Sequence, residues 1–281
     1  LKMVIDASNG MAGKMIPLIF EDLGVEIIRL NFEHSGIFKH EPNPLVESNL
    51  AQLKATVKKR KADVGICFDG DADRLIMVDE NGETIGCDIL TALLSHYFLS
   101  KTPNATIVYD LRSSWVVREE ILKYGGLPRR ERVGHSFMKK TLRTARAVFG
   151  GELSGHFYYR DNFFADSGFI TLVHLINILS KALQTPISEL VRPLRRYFSS
   201  GEINFAVDDK EVSMKELSKR FSQGEADDLD GITIQFKDWW FNCRPSNTEP
   251  FLRLNIEAKT KELLDKQLAE IKGILGEPAE H

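Results

Sequence analysis

Two short apolar runs rich in branched residues, Val64-Gly65-Ile66-Cys67-Phe68 and Leu75-Ile76-Met77-Val78, enclose the segment Asp69-Gly70-Asp71-Ala72-Asp73-Arg74. Runs of this length and composition read as buried strands. Asn81-Gly82 adds a tight-turn signal after the second run. The segment is therefore a strand, an acidic loop, a strand and a turn. Three carboxylates at alternate positions repel one another unless a cation offsets them. Hard divalent cations such as Mg²⁺ take oxygen ligands and favour phosphate partners. Arg74 places a guanidinium beside the cluster, which suits a site where metal and arginine both meet a phosphoryl group. A solvated acidic turn also fits this composition. A calcium loop of the EF-hand kind fits less well. Asp69, Asp71 and Asp73 would take its first three ligand positions and Glu80 its last, but its sixth position requires Gly and holds Arg74, and the flanks are strands rather than helices.

At 281 residues the chain is long enough for two or three domains, and its 43% hydrophobic and 27% charged content is that of an ordinary globular protein. A formal net charge of -3 gives no reason to expect nucleic acid or an anionic membrane as partner. Cys67, Cys87 and Cys243 are isolated from one another, which fits reduced thiols in a cytoplasmic protein. No apolar stretch is long enough to span a bilayer, and no signal peptide is expected. The composition does not set an oligomeric state. The chain opens at Leu1 on an apolar run without an initiator Met, so it reads as a piece of a longer protein.

Strand and helix signals alternate through two α/β units, expected over residues 1–100 and 101–196, and an α+β unit follows over 197–281. In the first unit Met3 to Ile5 reads as a strand, and Lys14 to Leu23 as a helix with Met15, Leu18, Ile19 and Leu23 on one face. Leu50 to Lys61 is a basic amphipathic helix, and Asp88 to Leu99 closes the unit. Thr106 to Asp110 opens the second unit as a strand, and Gly168 to Leu183 reads as a long buried helix. In the third, strands are expected at 203–207, 231–236, 239–242 and 252–258, with helices at 212–221 and 261–275. No low-complexity segment or short repeat is present.

Three further loops carry chemistry. Gly150 to His156 (Gly-Gly-Glu-Leu-Ser-Gly-His) has glycines that permit a tight loop. In an extended loop Glu152, Ser154 and His156 point the same way and suit the hydroxyls of a sugar; a polar turn between strands is the plainer reading. Arg244-Pro-Ser-Asn-Thr-Glu-Pro250 offers a guanidinium fork, neutral donors on Ser246, Asn247 and Thr248, and consecutive backbone N–H groups. That is the chemistry of a phosphate cradle without a lysine, although Pro, Ser and Asn are also ordinary turn residues. In Arg132-Val-Gly-His-Ser136, His135 is a lone histidine. Arg112, just beyond the strand ending at Asp110, is either a second anion contact or a solvated arginine.

Taken together and in this order, the loops resemble those of the α-D-phosphohexomutase family, which includes phosphomannomutases, phosphoglucomutases and phosphoglucosamine mutases. The acidic loop resembles that family's metal loop, Gly151 to His156 its sugar loop, and Arg244 to Pro250 its phosphate loop. Val4 to Gly10 and Pro42-Asn-Pro44 resemble its second domain; Arg112, Gly125-Gly126 and Val133 to Ser136 resemble its third. The resemblance covers essentially the whole chain. It implies two consecutive three-layer α/β/α domains and a smaller α+β C-terminal domain, corresponding to the second, third and fourth of the family's four. The family's first domain carries the catalytic serine as a phosphoserine, in a Thr-Ala-Ser-His-Asn-Pro-like segment that this sequence lacks.

The resemblance further implies a mutase that interconverts hexose 1-phosphate and hexose 6-phosphate through that phosphoserine and a hexose 1,6-bisphosphate. Asp69, Asp71 and Asp73 would hold Mg²⁺, with Arg74 offsetting charge on the transferring group. Glu152 and Ser154 would bind sugar hydroxyls, with His156 supporting that loop or its phosphate. Arg244, Ser246, Asn247 and Thr248 would hold the non-reacting phosphate. Arg112 and His135 would lie near the sugar or its phosphate. The chain alone would then be inactive. Leu153 stands where phosphoglucosamine mutases usually have Gln, which favours the mannose/glucose branch. Two other readings are a non-catalytic sugar-phosphate-binding protein and a phosphatase that uses an aspartate of the acidic loop as nucleophile.

Overall fold

A computed structural model of the chain describes residues 1–20, 22–182, 184–246 and 249–279. It contains three five-stranded sheets distributed over two compact units. One unit comprises Leu1–Arg130 and Gly134–Arg195 and holds two of the sheets; the other comprises Glu131–Val133 and Arg196–His281 and holds the third. The architecture is therefore the mixed α/β fold expected from the sequence.

The first sheet is built from β1 (Lys2–Asp6), β2 (Glu26–Leu30), β3 (Val64–Phe68), β4 (Leu75–Asp79) and β5 (Thr84–Ile85), in the order β2-β1-β3-β4-β5. β1 runs parallel to β2 and β3, whereas β4 and β5 return antiparallel. Every residue of β3 and β4 is buried, as their continuous apolar runs require. Helix α1 (Ala12–Phe20) differs from expectation. Ala12, Ile16 and Phe20, spaced four apart, are its buried residues, while Leu18 and Leu23 are exposed. The helix begins two residues earlier than the periodicity indicates, and its core-facing stripe runs through Ile16 and Phe20, one position on from the expected Met15 and Ile19. Helix α2 (Ala51–Arg60) buries Leu53 and Val57 against β1 and β3, with its basic last turn in solvent.

The second sheet repeats this plan. Its strands are β6 (Thr106–Asp110), β7 (Leu127–Glu131), β8 (Phe149–Gly151), β9 (Phe157–Tyr159) and β10 (Ala165–Asp166), in the order β7-β6-β8-β9-β10. Here too the third strand, β8, runs parallel to the first, and the last two return antiparallel. Helix α3 (Cys87–Lys101) packs on β8 and on α4 (Trp115–Lys123), so it serves this sheet rather than closing the first. Helix α5 (His135–Thr144) packs on β6 and β8. Helix α6 (Gly168–Lys181) starts at Ser167, whose side chain accepts from the Ile170 N–H as an N-cap. It is apolar but not wholly buried: Gly168, Thr171, Leu172, Leu175 and Leu179 face inward and Val173 is exposed. A single helix on a sheet presents one stripe to the core, whatever its overall hydropathy. The expected last residue of this helix, Leu183, lies outside the described residues. A short helix α7 (Ile187–Val191) completes the unit.

The third sheet is antiparallel throughout, with β11 (Phe198–Ala206), β12 (Glu225–Asp227), β13 (Ile232–Gln235), β14 (Trp239–Pro245) and β15 (Phe251–Ala258) in the order β11-β15-β14-β13-β12. Helices α8 (Lys210–Arg220) and α9 (Lys261–Leu275) pack on it, capped at their N-termini by Asp209 and Thr260. Phe205, Phe241, Leu252, Leu254, Ile256, Leu264 and Ile271 form its core. All three cysteines are buried and free. Burial pushes the Cys67 and Cys243 thiols up to about 12, which keeps them protonated and unreactive. Among the described residues no helix is long and apolar enough to cross a membrane.

Candidate active site

The acidic loop joins β3 to β4, and the glycine-rich loop Glu152 to His156 joins β8 to β9. Both therefore occupy the same place in the repeated plan, at the carboxyl end of the central parallel strands, where ligands bind in open α/β sheets. The two loops meet directly. Arg74 and His156 form an antiparallel bridge, and the Leu75 N–H donates to the Gly155 carbonyl at 3.1 Å.

Asp69, Asp71 and Asp73 each offer a carboxylate oxygen, and these oxygens lie within 4.8 Å of one another. Ala72, between two of them, has φ of 66° and is buried, a left-handed kink that wraps the backbone around the acids. Asp69 is 2% exposed, and burial raises its pKa despite hydrogen bonds from Arg74. The Arg74 Nε–H donates to Asp69 Oδ2 at 2.7 Å and its backbone N–H to Oδ1 at 3.2 Å. His156 Nε2 lies 3.4 Å from Asp73 Oδ1, and its Nδ1 is 2.9 Å from Ser154 Oγ. The hydrogen bond from His156 holds Asp73 below the usual carboxylate range. Burial opposes protonation of His156, but Asp73 outweighs it and raises the imidazole pKa.

A second trio, Asp73, His156 and Asp166, is equally close. The two clusters differ in charge. The second has one fewer carboxylate and includes a nitrogen donor, His156, and Lys139 Nζ lies 2.9 Å from its Asp166. In the first, the Arg74 guanidinium is set against three carboxylates, one of them buried. That oxygen-only, net-negative donor set fits Mg²⁺.

The glycine-rich loop is not extended. The Glu152 N–H donates to the His156 carbonyl at 2.9 Å and the Gly155 N–H to the Glu152 carbonyl at 3.1 Å, which close a tight turn at Gly155, φ 89°. Glu152 therefore does not share one face with Ser154 and His156. It is buried, with Oε1 accepting from the Tyr158 hydroxyl and Oε2 from the Gly134 N–H at 3.3 Å. Burial first, and then the nearby Asp110 carboxylate, raise the Glu152 pKa, while the Tyr158 hydroxyl opposes them. Arg112 is not a solvated arginine either: it is held by Asp110, with Nη2 to Oδ2 at 2.8 Å. His135 is the exposed first residue of α5, one residue beyond the Gly134 amide that Glu152 accepts.

Three models of one family match nearly the whole chain in order. The phosphoglucomutase/phosphomannomutase α/β/α domain II model matches residues 1–82, the domain III model 87–197, and the C-terminal domain model 202–274. The chain belongs to the phosphoglucomutase/phosphomannomutase family. It is 39% identical over 275 residues to a phosphomannomutase of Methanocaldococcus jannaschii, an alignment covering 98% of this chain and 61% of that protein. A family protein of known structure from Burkholderia thailandensis superposes with a TM-score of 0.89 at 31% identity, over 99% of this chain and 62% of that one. The N-acetylphosphoglucosamine mutase of Aspergillus fumigatus, solved with GlcNAc-6P and magnesium, shares the fold at a TM-score of 0.67 and 14% identity, over 98% of this chain and 66% of that one. The chain thus spans about three-fifths of the length of these mutase relatives.

The phosphate-like loop of this mutase-family chain lies at the end of β14 in the other unit. Arg244 is 3% exposed, with Nη2 donating to Glu202 Oε2 at 2.7 Å. Arg253, directly opposite on β15, also donates to Glu202, at 3.3 Å. Ser246 Oγ accepts from the Glu249 N–H at 3.2 Å. Asn247 and Thr248 lie outside the described residues. Asp110, Tyr158, Lys139, Asp166 and Glu202 were not identifiable as site residues from the sequence, because a lone acid or tyrosine in a strand carries no motif. The sequence signal for Asp110 is its position as the last residue of a predicted strand.

Proposed function

We propose that the chain forms the metal-, sugar- and phosphate-binding part of a phosphohexomutase that interconverts hexose 1-phosphate and hexose 6-phosphate. The observation that carries this reading is the junction of the two loops, where the Asp69–Asp71–Asp73 cluster meets Ser154 and His156 through the Arg74–His156 bridge. A divalent ion held by three carboxylates belongs beside a phosphoryl group, and hydroxyl and imidazole groups next to it suit a sugar.

Asp69, Asp71 and Asp73 would hold Mg²⁺, which when bound would supply Lewis-acid stabilisation of the transferring phosphoryl group. Arg74 would keep the buried Asp69 ionised and add positive charge on the same side. Glu152 and Ser154 would accept and donate to sugar hydroxyls, and His156 would brace Ser154 against Asp73. Arg112 and His135 would flank the sugar loop. Arg244 and Ser246, with Asn247 and Thr248, would hold the phosphate that is not being transferred. In this reading the phosphoryl donor is a phosphoserine of the family's first domain, the intermediate is a hexose 1,6-bisphosphate, and the substrate is a mannose or glucose phosphate. The cytoplasm is the compartment in keeping with three buried free thiols.

Calorimetric titration of the chain with mannose 1-phosphate and glucose 1-phosphate, with and without Mg²⁺, tests this. Weak binding without turnover is expected. Absence of binding would remove the sugar-phosphate reading. Robust conversion by these 281 residues alone would show that no serine from a further domain is required.

A further inference from the structure

We propose that Asp110 is a positioning residue that locks Arg112 and the sugar loop into one preassembled unit. Asp110 ends β6 and is fully buried. Its Oδ1 accepts the Arg112 backbone N–H at 2.8 Å and the Arg112 Nε–H at 3.3 Å. Its Oδ2 accepts the Arg112 Nη2 at 2.8 Å and the Leu153 N–H at 2.7 Å. One carboxylate thus holds both the plane of a guanidinium and the backbone midway between Glu152 and Ser154. Charge-assisted forks of this kind fix geometry as well as energy, the more so in a buried setting.

The repeated fold separates this role from a generic one. Asp6 stands at the same place in the first sheet, as the last residue of β1, and it too accepts the N–H two residues on, from Ser8 at 2.9 Å. There its carboxylate is otherwise taken by the Asn31 amide at 2.9 and 3.0 Å and by His40 at 3.3 Å. The turn is common to both sheets. Among the described residues, the arginine fork and the loop amide are bound by Asp110 and not by Asp6, and Asp110 lies in the second sheet with the sugar loop. What is positioned, a hexose phosphate, rests on the function proposed above.

The test combines a ligand-free readout with a binding one. In ¹⁵N spectra of the whole chain, the Arg112 Nε–H and the Leu153 amide are expected to be slow to exchange. The isosteric Asp110→Asn variant keeps an acceptor for Leu153 but loses the charged fork. It is expected to release the Arg112 Nε–H, keep the Leu153 amide protected, and bind mannose 1-phosphate roughly tenfold to a hundredfold more weakly, the loss of one charge-assisted hydrogen bond to the ligand. Its affinity for inorganic phosphate should not change. Arg112→Lys should reproduce the loss of sugar-phosphate affinity with Leu153 still protected, and it decides the matter if Asp110→Asn lowers the melting temperature severely. Unaltered Arg112 exchange in Asp110→Asn, or unaltered mannose 1-phosphate affinity in either variant, overturns the proposal. If the unmutated chain binds no hexose phosphate, the functional reading falls and the exchange data alone decide whether Asp110 locks the pair.

Discussion

Gly10 tests how the acidic loop is held. It ends the turn after β1, where the next N–H, of Met11, donates to the Gly70 carbonyl at 2.9 Å. Gly70 sits between Asp69 and Asp71. A Cβ added at Gly10 would lie 2.9 Å from both the carbonyl carbon and the Cα of Gly70, with the Gly70 oxygen nearer still. These are backbone atoms, so no side chain can swing aside. Restoring an ordinary contact of about 3.4 Å to the Gly70 oxygen, the nearest of these atoms, displaces the acidic loop by about an ångström. Mg²⁺ demands near-ideal ligand distances, so a shift of that size draws Asp69 or Asp71 out of coordinating position. Gly10→Ala should therefore weaken Mn²⁺ binding, followed by electron paramagnetic resonance, by about tenfold or more, equivalent to at least about 1.4 kcal/mol. The overpacking itself should lower stability by about 1–3 kcal/mol in urea titrations. An intact fold with undiminished Mn²⁺ affinity would refute the argument that this turn supports the metal loop.

Four further outcomes follow from the same geometry. Tyr158→Phe leaves the buried Glu152 carboxylate short of its hydroxyl donor, at a cost of about 1–3 kcal/mol near neutral pH. Because the folded-state pKa of Glu152 is raised, that cost should shrink as pH falls toward the unfolded carboxylate range, where Glu152 is neutral in both states, and grow as pH rises through the folded value; urea titrations at acid and neutral pH measure it. Gly155→Ala forces an alanine to φ near 89° and puts its Cβ 3.2 Å from the Leu75 oxygen, so urea titration should show a loss of about 2 kcal/mol. Mg²⁺ at about a hundred times its dissociation constant should stabilise the chain by about 2.7 kcal/mol, seen as a rise in melting temperature that Asp71→Asn abolishes. Arg244→Lys loses the planar fork now set against Glu202, and calorimetry should show phosphate binding weakened by about tenfold.

Much of this was legible in the sequence, because strands buried on both faces are written as unbroken apolar runs. Val64 to Phe68 and Leu75 to Val78 announce β3 and β4, and Thr106 to Asp110 announces β6. Short strands were not legible: β8 contains two glycines, and β10 is two residues long. The stripe of α1 was misplaced because Leu18 and Leu23 are apolar yet exposed, and periodicity cannot tell a core-facing leucine from one on the outer surface. The candidate site divides in the same way. The acidic and arginine-led loops carry their chemistry as local motifs. The groups that hold them, Asp110, Tyr158 and Glu202, act across 43, 6 and 42 residues of sequence, and that pairing exists only once the sheets form.

The repeated sheet plan gives the clearest reason why the acidic loop and the glycine-rich loop adjoin. The loops after β3 and β8 are equivalent by topology, although one reads Asp-Gly-Asp-Ala-Asp-Arg and the other Glu-Leu-Ser-Gly-His. Both begin with an acid that is 2% exposed, Asp69 and Glu152, and both end at the residue that pairs across the junction, Arg74 and His156. In each, burial raises the pKa of the first acid, and a donor from the same hairpin opposes it: Arg74 for Asp69, the Tyr158 hydroxyl for Glu152. The difference lies in the donor. A guanidinium is set against a cluster of three carboxylates, whereas the neutral Tyr158 hydroxyl and the Gly134 N–H are set against Glu152, with Asp110 nearby. One shared hairpin frame thus sets a cluster of three carboxylates in the first sheet beside a hydroxyl and an imidazole in the second.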